Sequence, residues 1–328
     1  MTTTPPTMTT SSTLTQADHW DHILARWGYR RGHHRVTPGL YSLGTPTPAS
    51  PVFVTANYTL SFDALRSALD GVDGYILVLD TDGINVWCAA GKGTFGTEEL
   101  ANRIEVSGLP DVVSHRKLVL PQLGASGVSA HEVKRRTGFT VTYGPVRAAD
   151  LPAYLEAGTA TPEMRRVNFT LGDRLVLVPV ELVHVFLPTL AVALALGLLV
   201  SPLVGWAVPA AVLAGAALFP ILLPWLPGHA FSAKGFVLGG LVAVPFAVYA
   251  IAGSAEGALW QRLAWAAAFI LAMPPVTAFL ALNFTGATTF TSKTGVEREM
   301  KAYIRVMAGL FGVGMALTVG LAIYGWLV

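Results

Sequence analysis

Cys88 is the only thiol in this 328-residue chain. One thiol cannot close an internal disulfide, and an iron–sulfur cluster takes several thiolates, so any reducing power must come from a partner. Charge is also scarce: Asp, Glu, Lys and Arg together make up 13% of the residues, and the net charge is +2. The soluble half has no basic run and no interleaving of aromatic and basic residues, which leaves no footprint for a nucleic acid. Met1 to Thr15 is Thr, Pro and Ser with neither a basic n-region nor an apolar h-region. No cleaved secretion signal is read there, and the segment is expected to be a disordered tail.

Apolar residues are in excess, at 52% with a mean hydropathy of +0.53. Nearly all of this excess lies beyond Gly172. The change in composition predicts a tail with a short N-terminal helix (1–35), a soluble domain facing the cytoplasm (36–170) and a transmembrane domain (171–328). Five apolar stretches near the 20 or so residues that cross a bilayer are read as spans: Leu175 to Val200, Leu203 to Trp225, Gly235 to Gly253, Leu263 to Leu282 and Met307 to Trp326. Arg165, Arg166 and Arg174 precede the first span, and Lys293, Arg298, Lys301 and Arg305 lie between the fourth and fifth. Their charge puts both segments on the cytoplasmic side of a cell (inner) membrane. Glu181 and His184, three apart, are candidates for a pair across one helical turn.

The soluble half reads as short apolar runs alternating with amphipathic helices, the pattern of an α/β layer fold. Val52–Val54, Tyr75–Leu79, Lys117–Leu120 and Phe139–Tyr143 are expected strands. Ser61, Thr97 and Ser129 are expected to cap helices, Ser129 within a capping box with Glu132. Asp82-Gly83 is a hairpin signal, and it predicts a return strand from Ile84 to Trp87 that delivers Cys88 at its end. Four histidines, His19, His22, His33 and His34, lie between Asp18 and Arg35 without acidic or thiol partners at ligand spacing. That segment reads as a surface helix followed by a basic turn.

Ligands bind beyond the carboxyl ends of strands in open α/β sheets. The candidate walls of one site are therefore Thr55 and Asn57, the run Asn85, Val86, Trp87, Cys88, Ala89, Ala90, Gly91, Lys92, Gly93 and Thr94, the turn Gly124, Ala125, Ser126 and Gly127, and Tyr143, Gly144, Pro145 and Arg147. The backbone after Cys88 has almost no side-chain bulk, which suits something broad and flat, and Lys92 supplies a nearby cation. The glycines of the 124–127 turn are expected to let a ligand approach the backbone. A P-loop is rejected because no Ser or Thr directly follows Lys92. A cysteine nucleophile would need a histidine base, and neither His115 nor His131 falls in a recognisable pairing motif. The hydroxyl-rich loop Asn283 to Ser292 is a candidate cover for a bound ligand.

Asn85-Val86-Trp87-Cys88-Ala89-Ala90-Gly91-Lys92 resembles the cap-helix signature of the membrane-anchored corrinoid proteins of bacterial and archaeal mercury methylation. Thr55–Tyr58, Leu120–Ala125, Tyr143–Arg147 and the loop from Asn283 to Ser292 are similar to segments shared with the corrinoid iron–sulfur proteins of the acetyl-CoA pathway. The resemblance implies an α/β corrinoid-binding domain, a Rossmann-like layered sheet, followed by an all-α five-helix transmembrane domain. It implies a cobalamin-type cofactor whose cobalt is ligated from below by Cys88, with Asn85 and Trp87 fixing the turn. Such a protein is a corrinoid-dependent methyltransferase that takes a methyl group from a folate-linked donor and passes it from methyl-cobalt(III) to mercuric ion. A soft thiolate opposite the methyl group favours release of a carbanion equivalent to a soft electrophile. The implied partner is a ferredoxin-like protein with two four-iron four-sulfur clusters, and membrane lipid surrounds the spans. Two other readings stand beside this one: a membrane-bound corrinoid methyl carrier of one-carbon metabolism in the acetyl-CoA pathway, and a corrinoid-binding membrane sensor without turnover.

Overall fold

The computed structural model describes residues 7–30, 32–253, 257–288 and 293–327. It divides between Asn168 and Phe169 into two units.

The first unit is built on a mixed six-stranded sheet, β1 (Met8–Thr10), β2 (Gly39–Leu43), β3 (Val52–Ala56), β4 (Gly74–Leu79), β5 (Lys117–Leu120) and β6 (Thr140–Tyr143), in the order β1-β2-β4-β3-β5-β6. β3 pairs in parallel with β4 and with β5, and β5 with β6, whereas β2 runs antiparallel to β4. Every residue of β3 and β4 is buried, which explains their unbroken apolar runs. Residues alternate between two cores. Leu77 and Leu79 of β4 face the layer of α4 (Thr97–Val106) and α6 (Ala130–Thr137), with Leu100, Ile104 and Val133. Ile76 and Val78 face α2 (Thr59–Ala68) and α7 (Leu151–Ala157), with Phe62, Leu65, Leu151 and Tyr154. A four-residue helix, α5 (Leu109–Val112), precedes β5.

Several local expectations are corrected. Part of the expected tail, Met8–Thr10, is an edge strand paired in parallel with β2. The helix after it, α1 (Gln16–Arg26), opens with a capping box between Thr15 and Asp18. Ile84 to Trp87 is not a strand. Asp82 and Gly83 do take the left-handed conformations of a hairpin turn, φ 58° and 68°, but the chain then enters helix α3 (Val86–Lys92). Ser61 lies inside α2, whose N-cap is Tyr58, and α4 is capped by Gly96. Ser129 makes no capping bond; its hydroxyl meets His131 instead. Glu132 pairs with Arg135 and Arg136, whose hydrogen bonds hold its carboxyl at about 2.

The second unit contains five helices long and apolar enough to cross a membrane. The first span joins α8 (Leu171–Leu175) to α9 (Val178–Leu199), and the second joins α10 (Pro202–Leu213) through a π turn at Ala214–Leu218 to α11 (Phe219–Leu222). α12 (Phe231–Ala252), α13 (Leu259–Asn283) and α14 (Lys293–Leu327) are the others. α14 is continuous from Lys293, well before the expected start of the fifth span at Met307. Small residues bring the helices close: a Cβ on Gly235 would lie 2.6 Å from the Ala278 Cα, and one on Gly239 2.7 Å from the Pro274 Cα. The buried Arg174 guanidinium donates to the Pro220 and Ile221 carbonyls, which supplies a cation to helix-terminal acceptors. His184 Nδ1 donates to the Val180 carbonyl, and no ion pair joins His184 to Glu181 among the described residues. Of the loop expected to cover a ligand, Phe284–Ala287 is a 3-10 turn, and 289–292 lie outside the described residues.

Candidate functional site

The chain order reverses between β3 and β5, where β4 lies on one side of β3 and β5 on the other. This is the switch point at which open α/β sheets hold ligands. α3 packs there, against the end of β3 and the 3-10 turn Gln122–Gly124 that follows β5.

Its placement starts at Asn57, just past β3. The Asn57 carboxamide oxygen accepts the Thr81 N–H at 3.0 Å and the Gly83 N–H at 2.9 Å, and the Thr81 hydroxyl lies 2.9 Å from it. The Asn57 amide donates to Asp80 at 3.1 Å. One side chain therefore stitches the end of β3 to the turn that feeds α3. Asn85 then caps the helix, its Oδ1 accepting the Cys88 N–H at 2.9 Å. Gly93, left-handed at φ 89°, ends it.

Val86, Ala89 and Ala90 form the buried face of α3. Cys88 lies about 200° around from Val86 at about 100° per residue, and is half-buried on the opposite face. Gly91, Lys92 and Gly93 beside it are exposed, Trp87 and Thr94 half-buried. A Cβ added to Gly91 or Gly93 would meet nothing within 4 Å, so this face is open.

The other expected walls are largely used by the fold itself. Thr55 and Asn57 are each only 3% exposed, so Asn57 serves the turn and offers a ligand nothing. Gly124 makes room for the Phe95 ring, where a Cβ would come within 2.5 Å of that ring. A Cβ on Gly127 would lie 2.2 Å from the Phe95 carbonyl oxygen and 2.9 Å from the Ala90 Cα. The glycines of this turn admit α3 and its following loop, contrary to the expectation that they admit a ligand. Ala125 is half-buried and Ser126 exposed beside them. Tyr143 donates its hydroxyl to the Val128 carbonyl at 2.6 Å, and burial pushes that phenol up. Gly144 and Pro145 are buried, and Arg147 is exposed. The segment after α7 lies over the same strand ends: Val146 N–H donates to the Met164 carbonyl, and Arg165 to Gln122 Oε1 at 2.8 Å. Thr81 and Phe95 went unnoticed in the sequence; the alternation of small and polar residues around them carries no pattern that singles them out.

Of the run from Asn85, Trp87, Cys88, Gly91, Lys92, Gly93 and Thr94 keep accessible surface beyond the cap residue, and Ser126 and Arg147 are the exposed residues of the other walls. The Thr94 hydroxyl is buried and has no hydrogen-bond partner among the described residues. His115 bonds the Ser50 carbonyl and His131 bonds Ser129; neither bonds the thiol, so no nucleophile–base pair is assembled among the described residues. Among the described residues no group of three or more His, Cys, Asp or Glu side chains is placed to hold a metal ion. A metal that brings its own equatorial ligands needs only one protein donor, and one soft donor on an open, small-residue face fits a metal-bearing macrocycle.

Residues 30–155 match the CO dehydrogenase/acetyl-CoA synthase delta subunit family. The acetyl-CoA decarbonylase/synthase complex subunit gamma of Methanopyrus kandleri is 36% identical over 128 residues, 38% of this chain and 27% of that protein. The subunit of the same name from Archaeoglobus fulgidus is 34% identical over 124 residues, 37% of this chain and 26% of its own length. The corrinoid/iron-sulfur protein large subunit of Moorella thermoacetica is 27% identical over 160 residues, 46% of this chain and 35% of that protein. The chain thus spans about a quarter to a third of the length of these relatives. The similarity relates its first unit to the corrinoid proteins of the acetyl-CoA pathway.

Proposed function

We propose that this chain is a membrane-anchored corrinoid methyltransferase whose soluble domain would hold a corrinoid against the open face of α3, with Cys88 as the residue that would ligate its cobalt. The observation that carries the reading is the lone thiol on an open, small-residue helix face at the switch point of a domain related to corrinoid proteins. When bound, the corrinoid supplies a cobalt centre able to accept and release a methyl group. The protein's part is ligation and orientation. Asn85 and the Asn57-pinned turn hold Cys88 in place, Gly91 and Gly93 leave room for a flat ring, and the exposed Lys92 ammonium is available to polar groups on its rim. Bound to that metal, the Cys88 sulfur would be a soft, strongly donating ligand, a donor type that would suit delivery of a methyl group with its electron pair.

Mercuric ion is the acceptor we assign, on two supports: the resemblance carried by Asn85 to Lys92, and the match between carbanion-like delivery and a soft electrophile. The comparisons favour the second reading, a membrane-bound corrinoid methyl carrier of acetyl-CoA metabolism, because the relatives named above belong to that chemistry. In either reading the methyl donor is folate-linked. The electrons come from a partner, a ferredoxin-like protein with two four-iron four-sulfur clusters, since this chain has one cysteine. The Arg and Lys residues flanking the first and fifth spans support a soluble domain on the cytoplasmic side of the cell membrane. The test loads the full chain with cobalamin, reduces it, methylates it and offers mercuric ion. Methylmercury formed at a rate that depends on Cys88 supports the first acceptor. Methylation without transfer to mercuric ion, with transfer to the metal centre of an acetyl-CoA synthase, supports the second.

A further inference from the structure

α1 is amphipathic in the reverse sense. The side of the helix turned toward the sheet is polar. His22 Nε2 donates to Asp63 at 2.7 Å, Asp18 accepts from Arg66 at 2.8 Å, and Asp21 accepts from His34 Nδ1 at 2.7 Å. Asp63, Arg66 and His34 are buried, so the helix docks through the Arg66–Asp18 ion pair and two histidine–aspartate hydrogen bonds. The apolar residues point outward: Trp20 is 64% exposed, Ile23 46%, Leu24 39% and Trp27 50%. Their spacing of i, i+3, i+4 and i+7 makes one stripe, and Tyr29, just past the helix end, is 53% exposed. Arg26 and Arg30 are exposed beside the stripe, Arg30 with its guanidinium 5.4 Å from the Tyr29 ring centre. Both acids of α1 are committed inward, so the charge bordering the stripe is positive.

A solvent-facing stripe with two tryptophans and a leucine costs free energy in water unless something covers it. We propose that the Trp20–Trp27 face of α1 lies in the interface of a phospholipid bilayer, its apolar stripe among the upper acyl chains and Arg26 and Arg30 against anionic headgroups. Tryptophan and tyrosine prefer this depth, and arginines flanking an apolar face are the pattern of interfacial helices. The occupant is fixed by the rest of the chain. The soluble unit continues directly at Asn168 and Phe169 into a unit with five candidate membrane spans, so a bilayer is held at high effective concentration. Residues 30–155 carry the family match, and α1 precedes that segment. The inference stands whether or not the corrinoid reading does.

The experiment places a polarity-sensitive fluorophore on Ile23→Cys in a Cys88→Ser background. The full chain is reconstituted into nanodiscs of phosphatidylcholine with or without phosphatidylglycerol. The expected result is a blue shift, quenching by a lipid-borne quencher and protection from aqueous iodide, strongest with phosphatidylglycerol and reduced in Arg26→Glu/Arg30→Glu. Amide exchange in α1 of the unlabelled wild-type protein should slow in the same discs, which guards against an effect of the label. Equal iodide quenching in discs and in detergent would overturn the proposal. So would a blue shift that appears in detergent and grows with protein concentration, which would assign the face to a second copy.

Discussion

Asn57 and Gly83, 26 positions apart, are joined by a 2.9 Å hydrogen bond from the Gly83 N–H to the Asn57 carboxamide oxygen. That bond, with its neighbour at Thr81, makes the end of β3 the reference point from which α3, and so Cys88, is placed. Gly83 also sits against Arg35, where a Cβ would lie 2.7 Å from the Arg35 Cγ, so the turn is held from both sides.

Asn57→Ala leaves two backbone N–H groups without their acceptor, at a cost of about 1–3 kcal/mol. The expected outcome is faster amide exchange at Thr81 and Gly83 and faster reaction of the Cys88 thiol with an alkylating reagent, while the amides of β4 keep their protection relative to global stability. Asn57→Asp keeps the acceptor and recovers part of the loss. Uniform loss of protection across the sheet would show that Asn57 is merely a core residue.

The two kinds of glycine near α3 make opposite predictions. Gly127→Ala drives a methyl into the Phe95 carbonyl and the Ala90 Cα and is expected to destabilise the domain by about 1–3 kcal/mol. Gly91→Ala meets nothing in the protein and should leave thermal stability within a degree or so of wild type. On the proposed function it weakens corrinoid binding instead. Thermal melts with and without cobalamin separate the two effects.

Asp18 titration tests how α1 is held. Burial pushes its carboxyl up, but hydrogen bonds from Thr15 and the Arg66 guanidinium outweigh this and hold it below the usual carboxylate range. A carboxyl depressed in the folded state contributes stability that is present in full above its unfolded value, near pH 4, and is lost as pH falls through the folded value. Protection of the α1 amides, taken relative to their intrinsic exchange at each pH, should therefore change little from pH 7 to pH 5 and fall below about pH 4. Asp18→Asn should show the lowered protection already at neutral pH, with no further step in acid.

Patterning made the layer architecture and the five spans legible. Val52–Val54 and Tyr75–Leu79 are continuous apolar runs because both sheet faces are covered, and the spans follow from length and composition alone. The site was legible only in part. Asp82-Gly83 does carry the positive φ values of a hairpin turn, yet Asn57, a long way back in the chain, takes the turn's N–H groups and Asn85 caps a helix where a strand was expected. A tertiary contact of that kind has no local signature. Gly124 and Gly127 read as room for a ligand because a sequence does not reveal what approaches a glycine; here Phe95 and α3 fill the space. α1 shows the reverse difficulty: its periodic stripe is plain in the sequence, but periodicity does not reveal which face meets the protein.

The central claim is that Cys88 ligates the cobalt of a bound corrinoid, and the visible spectrum of the purified full chain reconstituted with cobalamin tests it most directly. The account predicts a spectrum of thiolate-ligated cobalt in the wild type that reverts to that of weakly ligated or water-ligated cobalt in Cys88→Ala, with methyl transfer lost in the same variant. An identical spectrum in the two proteins would contradict it.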